Sequence, residues 1–289
     1  LNGLVYCWGL NSSGQIGDGT TTNRSSPTLV SSLQGVVQIA VGAGHSCALL
    51  SSGQVRCWGK NDKSQASSVT ANTSNLTTPT VVPGIIAKSI IAGGYHTCAV
   101  LTSGAAKCWG QGTNYQLGNA ARPTSSAPVS VNVSGITSID LGGSYSCSIS
   151  KGSVKCWGFN NSGQVGIGTT ATVTAPSSVD GNFLQLSLGL GRTTCGINTS
   201  MTASCWGANS KGQIGDGTTA DSLKPTQVQL LAGSVASISV GGFVDATDAH
   251  TCAVLSSGAV QCWGFNSSGQ LGTVNTLDSI APKTVIFNP

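Results

Sequence analysis

The tripeptide Cys-Trp-Gly occurs six times along the chain, beginning at Cys7, Cys57, Cys108, Cys156, Cys205 and Cys262. Five of these cysteines have a second cysteine nine or ten residues upstream, at Cys47, Cys98, Cys147, Cys195 and Cys252, and Cys7 has none. In the run Cys47-Ala-Leu-Leu-Ser-Ser-Gly-Gln-Val-Arg-Cys57, a turn centred on Ser52 and Gly53 folds the flanks into a hairpin and sets the two sulfurs opposite each other. Opposed residues of neighbouring strands hold their Cα atoms about 4.5–5.5 Å apart, which a disulfide spans. The same construction recurs around Gly104, Gly152, Ser200 and Gly258. The spacing therefore predicts five cross-strand disulfides. No Cys-x-x-Cys pair suggests metal or redox chemistry, and such bridges require an oxidising compartment: secreted, periplasmic or cell surface.

Successive Cys-Trp-Gly motifs lie 50, 51, 48, 49 and 57 residues apart, a period of propeller blades rather than helical solenoids. Each unit runs from Trp-Gly through a polar turn such as Asn11-Ser12-Ser13-Gly14-Gln15, then a Pro-led segment such as Pro27-Thr28-Leu29-Val30. A strand of the type Val36-Val37-Gln38-Ile39-Ala40-Val41 and the disulfide hairpin follow. The apolar segments are four to seven residues long, rich in Val and Ile and bounded by Gly, Pro, Asn and Ser, which reads as strand. The expectation is an all-β β-propeller of about six visible repeats of ~50 residues, in a six- or seven-bladed ring of mostly four-stranded blades. Residues 1–289 read as one propeller domain lacking one or more strands upstream of Leu1, so Cys7 is expected to pair with an upstream segment or a neighbouring subunit.

The run from Trp157 to Thr169, Trp-Gly-Phe-Asn-Asn-Ser-Gly-Gln-Val-Gly-Ile-Gly-Thr, together with Gly42-Ala43-Gly44-His45-Ser46-Cys47-Ala48-Leu49, resembles the regulator of chromosome condensation repeat. The pattern recurs from Trp8, Trp206 and Trp263, and in degraded form after Trp58 and Trp109. The resemblance covers essentially the whole chain and implies a β-propeller, usually of seven blades. The family includes a nuclear exchange factor for a small GTPase, protein ligands, enzyme regulators and a secreted bacterial β-lactamase inhibitor. The cysteine pairs and low charge of this chain depart from the nuclear type, so the resemblance implies architecture more than activity.

Only 8% of residues are charged and the formal net charge of +4 is spread thinly, which leaves no basic stripe for a nucleic-acid backbone. No apolar stretch reaches the length of a membrane-spanning helix. Three His at repeat positions and nine carboxylates form no Ser-His-Asp arrangement or glycosidase pair, so neither a catalytic residue, a cofactor nor a metal is assigned. His45, His96 and His250 read as hydrogen-bonding the Gly-rich backbone beside them, the six Trp as packing between blades, and Asp18-Gly19 and Asp216-Gly217 as turns rather than cation loops. Asn-x-Ser/Thr sequons fall at Asn11, Asn23, Asn72, Asn75, Asn132, Asn160, Asn198 and Asn266.

Residues that break the repeat are better recognition candidates than residues that recur. One such place is the insertion Gly242-Phe243-Val244-Asp245-Ala246-Thr247-Asp248-Ala249-His250; the other runs from Lys60, Asp62 and Lys63 to Pro83, where the Gly pattern lapses. Tyr115, with Tyr95 and Phe243, is the aromatic candidate for a glycan. The reading is a non-catalytic binding or adhesion module for a protein or glycan, using loops on one face of the propeller. A secreted enzyme inhibitor and a GTPase exchange factor are the alternatives.

Overall fold

The computed structural model describes residues 3–66, 73–244 and 247–287, and every regular element among them is a β-strand. The chain forms two compact units, Leu1–Ile139 and Asp140–Pro289. In the first, β1 (Tyr6–Gly9) pairs with β2 (Arg24–Leu29). A second sheet follows in chain order: β3 (Val36–Val41), β4 (His45–Leu50), β5 (Gln54–Gly59), β6 (Leu76–Ala92), β7 (His96–Leu101), β8 (Ala106–Gly110) and β9 (Ser125–Ser130). The second unit opens inside β10 (Ser138–Leu141). It continues through β11 (Tyr145–Ser150), β12 (Ser153–Gly158), β13 (Val173–Leu188), β14 (Thr193–Asn198), β15 (Ala203–Gly207) and β16 (Ser222–Gln227). Its other sheet holds β17 (Val235–Gly242), β18 (Ala249–Leu255), β19 (Val260–Gly264) and β20 (Ser279–Thr284).

The seven-stranded sheets are pairs of four-stranded blades. β6 runs 17 residues and pairs with β5 through Leu76–Ile86, then with β7 through Ala87–Ala92. β13 joins β12 to β14 in the same way. Both long strands change partner beside a glycine at positive φ, Gly84 (+71°) and Gly181 (+101°). The expected unit, four strands with a disulfide hairpin at its centre, is thus present five times among the described residues, and β1–β2 is half of a sixth. Each outermost segment carries the expected proline, at Pro27, Pro79, Pro128, Pro176, Pro225 and Pro282. A residue with no N–H suits a strand with one neighbour only.

All five predicted disulfides are formed, Cys47–Cys57, Cys98–Cys108, Cys147–Cys156, Cys195–Cys205 and Cys252–Cys262. In each hairpin the two cysteines are directly opposed, with Cα atoms 4.0–4.1 Å apart. That is the close approach of a non-hydrogen-bonded cross-strand pair. The turns lie where the spacing puts them, with one adjustment: in the fourth hairpin Met201, not Ser200, holds the positive φ (+57°). The bridge of separation nine uses a tighter turn, with Lys151 (+50°) and Gly152 (+86°) both left-handed.

Apolar side chains pack between consecutive blades: Trp109 among Leu49, Val55, Val82 and Ile90 in the first unit, and Trp263 among Ile197, Ile214, Val228 and Ile238 in the second. A smaller cluster of Val5, Val30, Leu33, Ala48 and Trp58 holds β1–β2 against the blade that follows it.

Candidate functional site

The recurring residues are consumed by the scaffold, and the geometry of Cys-Trp-Gly accounts for all three. Cysteine closes the hairpin. The register against the outermost strand slips between each motif cysteine and its glycine, so the tryptophan sits at a bulge and leaves the ladder. The glycine carries the positive φ of the bulge, from +95° to +107°. A Cβ at Gly59, Gly110 or Gly264 would lie 2.6–2.7 Å from the carbonyl of Gly44, Tyr95 or Ala249, where the paired strand of the same hairpin begins, which no side chain tolerates.

The indoles of Trp58, Trp109, Trp206 and Trp263 donate to the carbonyls of Gln15, Gln65, Gln164 and Gln213, each in the turn of the preceding repeat, at 2.9–3.0 Å. The same four carbonyls accept a hydroxyl from Ser46, Thr97, Thr194 and Thr251. Both lone pairs are therefore used, at a net value of about 1 kcal/mol per bond. The glycine that ends each Gly-Gln-x-Gly turn is needed too, since a Cβ at Gly17 or Gly215 would reach within 2.6–2.7 Å of the indole nitrogen.

The turn is itself held by an asparagine. Oδ1 of Asn11, Asn61, Asn160, Asn209 and Asn266 accepts the N–H five residues on. Nδ2 of Asn11, Asn160, Asn209 and Asn266 donates to the carbonyls nine and eleven residues on. Three sequons are therefore closed in the folded chain, because Asn11, Asn160 and Asn266 are fully buried. Asn23, Asn75 and Asn132 are exposed, Asn198 is engaged in its own hairpin turn, and Asn72 lies outside the described residues. Asp18 is also structural: its Oδ1 accepts from Thr20 and Asn11, its Oδ2 from Arg24. Desolvation opposes ionisation of Asp18, yet the bonds from Thr20 and Arg24 and the guanidinium charge hold its pKa down at about 2.

His45 bonds across to the next blade, contrary to the expectation that it bonds its own Gly-rich backbone. His45 Nε2 lies 2.8 Å from Thr97 Oγ1. Thr97 gives its only hydroxyl hydrogen to Gln65, so His45 must donate through Nε2 and is neutral, its Nδ1 without a partner. Burial depresses its pKa to about 4, and that of His96 to about 3 with His45 contributing. In β11 Tyr145 takes the histidine position and donates to the Thr193 carbonyl. The repeated hydroxyl after this position (Ser46, Thr97, Thr194, Thr251) was a sequence signal left unread. So was the lone carboxylate of Asp140 in an inner strand, which accepts from Leu188 N at 2.7 Å and Leu141 N at 2.9 Å.

The recognition candidates divide. Lys60 and Lys63 flank Asp62 at 3.7 and 3.8 Å, and Lys60 Nζ also lies 5.4 Å from the centre of the Tyr95 ring. Tyr115 has Arg122 over its ring at 5.6 Å. One face of each tyrosine is thus covered by a cation, leaving less ring for a sugar. Phe243 is 73% exposed, Thr247 accepts from Gln213, Asp248 is partly buried, and Asp245 lies outside the described residues. The Gly pattern lapses after Lys60 in sequence but not in backbone. Ser64 (φ +59°) and Tyr115 (φ +64°) hold the left-handed conformation that Gly14, Gly163, Gly212 and Gly269 hold elsewhere. For a bulky ring that conformation is an outlier of the kind retained at functional surfaces.

The model of the Regulator of chromosome condensation (RCC1) repeat matches residues 2–49 and 205–254, and a second model of the same repeat matches 36–65 and 87–116. The chain is similar to the Ultraviolet-B receptor UVR8 of Arabidopsis thaliana, 31% identical over 301 residues, 99% of this chain and 67% of the receptor. It is similar to Protein pim1 of Schizosaccharomyces pombe, 33% identical over 138 residues, 40% of this chain but only 25% of pim1. Among solved structures, that of Prp20p from Saccharomyces cerevisiae, described with its binding properties to Gsp1p and histones, superposes with a TM-score of 0.86. It is 21% identical, over 99% of this chain and 73% of that one. With blades, register and inter-blade bonds of this kind throughout, the chain belongs to the regulator of chromosome condensation repeat family and has its β-propeller fold.

Proposed function

We propose that the chain is a non-catalytic protein-binding module of an oxidising compartment, secreted, periplasmic or on the cell surface, and that it recognises its partner through loops that break the repeat. The carrying observation is Tyr115, a bulky residue in a left-handed conformation that four other units give to glycine, with Arg122 stacked on its ring. A rigid scaffold that presents strained, aperiodic loops is suited to recognition. Lys60, Asp62, Lys63 and Tyr95 form a second candidate patch, and Phe243 and Asp248 a third, with Asp245 a candidate from its sequence position alone. Five buried disulfides support the compartment. Mass spectrometry of the protein from its native source is expected to find Cys47 joined to Cys57; reduced thiols there would end the compartment reading. For recognition, a partner captured by cross-linking should be lost on Tyr115→Gly or on Lys60→Glu with Lys63→Glu. Capture unchanged by both would remove these loops from the site.

A second reading, promotion of nucleotide release from a GTPase, is supported by the likeness to Prp20p and its binding to Gsp1p. Release of a fluorescent guanine nucleotide from Gsp1p-type GTPases measures it directly, and an unchanged rate at saturating protein rules it out for the GTPase used.

A further inference from the structure

The dipeptide Asp-Gly occurs three times, at Asp18-Gly19, Asp180-Gly181 and Asp216-Gly217. In such a pair the glycine nitrogen, with no Cβ beside it to hinder approach, can attack the aspartate Cγ and close a five-membered succinimide ring. Closure needs a carboxyl group free to turn onto the backbone and an N–H free to meet it. The fold gives the three pairs different access to that geometry.

Two pairs are locked at both reacting groups. The Gly19 and Gly217 nitrogens donate to the carbonyls of Thr77 and Ile280, at 2.9 and 3.0 Å. Asp18 Oδ1 accepts from Thr20 N at 3.0 Å and Thr20 Oγ1 at 2.8 Å, and Asp216 Oδ1 accepts from Thr218 N at 2.9 Å and Thr218 Oγ1 at 2.8 Å. The third pair has neither lock. Val179 faces Val154 and Asn182 faces Ser153, so Asp180 and Gly181 fall in the slip of the β12–β13 ladder and are rungs of neither strand pair. The Asp180 side chain is 80% exposed, and among the described residues its carboxylate has one partner, Lys224 Nζ at 3.2 Å. A solvated ion pair of this kind restrains little.

We propose that Asp180 is a site of spontaneous conversion to isoaspartate, selected among the three pairs by the fold. The Gly181 nitrogen bonds to Asp180 Cγ, the amide proton and the carboxyl hydroxyl leave as water, and the succinimide forms. Water then adds to one ring carbonyl. Cleavage between the nitrogen and Cγ restores aspartate, whereas cleavage between the nitrogen and the main-chain carbonyl carbon leaves isoaspartate. In isoaspartate the main chain runs through Cβ and Cγ and is one methylene longer, and the free carboxylate sits directly on Cα, away from the place where it met Lys224. The extra length falls where β13 leaves β12 for β14, two residues before Phe183 reaches that ladder and packs its ring on Trp206. The modification therefore acts on the joint between two blades.

Heavy-oxygen water reads the reaction, because every ring opening adds one oxygen from solvent. After incubation of the intact oxidised protein at neutral pH, the peptide containing Asp180 is expected to carry about tenfold or more label than those containing Asp18 and Asp216, whose bonds must open first. Electron-transfer fragmentation should place isoaspartate at position 180, and amide exchange across residues 179–188 should rise with its amount. In denaturant the three peptides should label alike. Asp180→Glu keeps the charge but cannot close the five-membered ring, so the label at this site should be lost. Equal labelling of the three peptides in the folded protein, the same ranking in denaturant, or label retained in Asp180→Glu would overturn the proposal; unchanged exchange across residues 179–188 would overturn its effect on the joint.

Discussion

The two units are built from one repeat and treat it differently. In the second, Gly163, Gly212 and Gly269 occupy the left-handed position of the Gly-Gln turn, and Trp157, Trp206 and Trp263 are fully buried. In the first, Ser64 and Tyr115 replace that glycine, Trp8 is exposed, Cys7 is unpaired and two neutral histidines are buried between strands. A residue present in every blade is needed by every blade, so such residues describe the scaffold. Departures from the pattern, Ser64, Tyr115 and Trp8 in the first unit and the insertion after Gly242 in the second, are where the scaffold leaves a side chain for something else.

The largest effect should come from the tryptophans. Trp206→Ala removes an indole that donates to Gln164 and packs on Phe183 with ring centres 5.6 Å apart. It is expected to lower stability by about 3–5 kcal/mol. Trp8→Ala, the same substitution at the same repeat position, should change it by less than about 0.5 kcal/mol. Urea denaturation followed by near-ultraviolet circular dichroism measures both; comparable losses would mean that Trp8 is buried in solution and the comparison fails.

A smaller effect separates the cysteines. Removing Cys195–Cys205 by a double change to alanine opens a short loop and should cost about 2–3 kcal/mol. Cys7→Ser should be neutral within about 0.5 kcal/mol, since only a half-buried thiol is altered. A Cys7→Ser variant as unstable as the opened hairpin would show that Cys7 already has a partner.

This contrast also separates what the sequence could reveal from what it could not. Disulfide register, turn positions and outer-strand prolines followed from spacing, because a hairpin relates residues only ten apart. The continuous strands β6 and β13 did not, since their two halves answer to different partners. Ser64 and Tyr115 in a left-handed backbone ran against propensity, and only the turn bonds around them, such as Ser64 N to Asn61 O, reveal that the turn survived the loss of glycine. Local spacing gives His45 its position but not its neighbour, because Thr97 lies 52 residues away, one repeat period on. Of the recognition candidates, the tripeptide rhythm could identify only what was irregular, not that Lys60 and Arg122 each cover a tyrosine.

Acid separates the units by sign. In the first, His45 and His96 have folded pKa values of about 4 and 3 against an unfolded value near 6.5, because burial disfavours the imidazolium. Between those values the unfolded chain binds more protons, so this contribution is complete above about pH 6.5 and is lost as pH falls toward the folded values. In the second unit Asp140 runs the other way. Burial raises its pKa from 3.8 to about 6, against the pull of the Leu188 and Leu141 N–H groups. The folded form then holds a proton that the unfolded form has released, so its contribution is present in acid and lost as pH rises through about 6. His250, lowered by burial, works against Asp140 within the same unit. Amide hydrogen exchange resolved by unit should therefore show the first unit loosening from pH 6.5 to 4.5, with His45→Gln and His96→Gln flattening the trend. Asp140→Asn should leave the first unit unchanged and make the second more dependent on acid, because the term that opposes His250 is gone. The same slope in the second unit with and without Asp140 would mean that its two N–H donors keep the carboxylate ionised throughout, and that the units respond to pH alike.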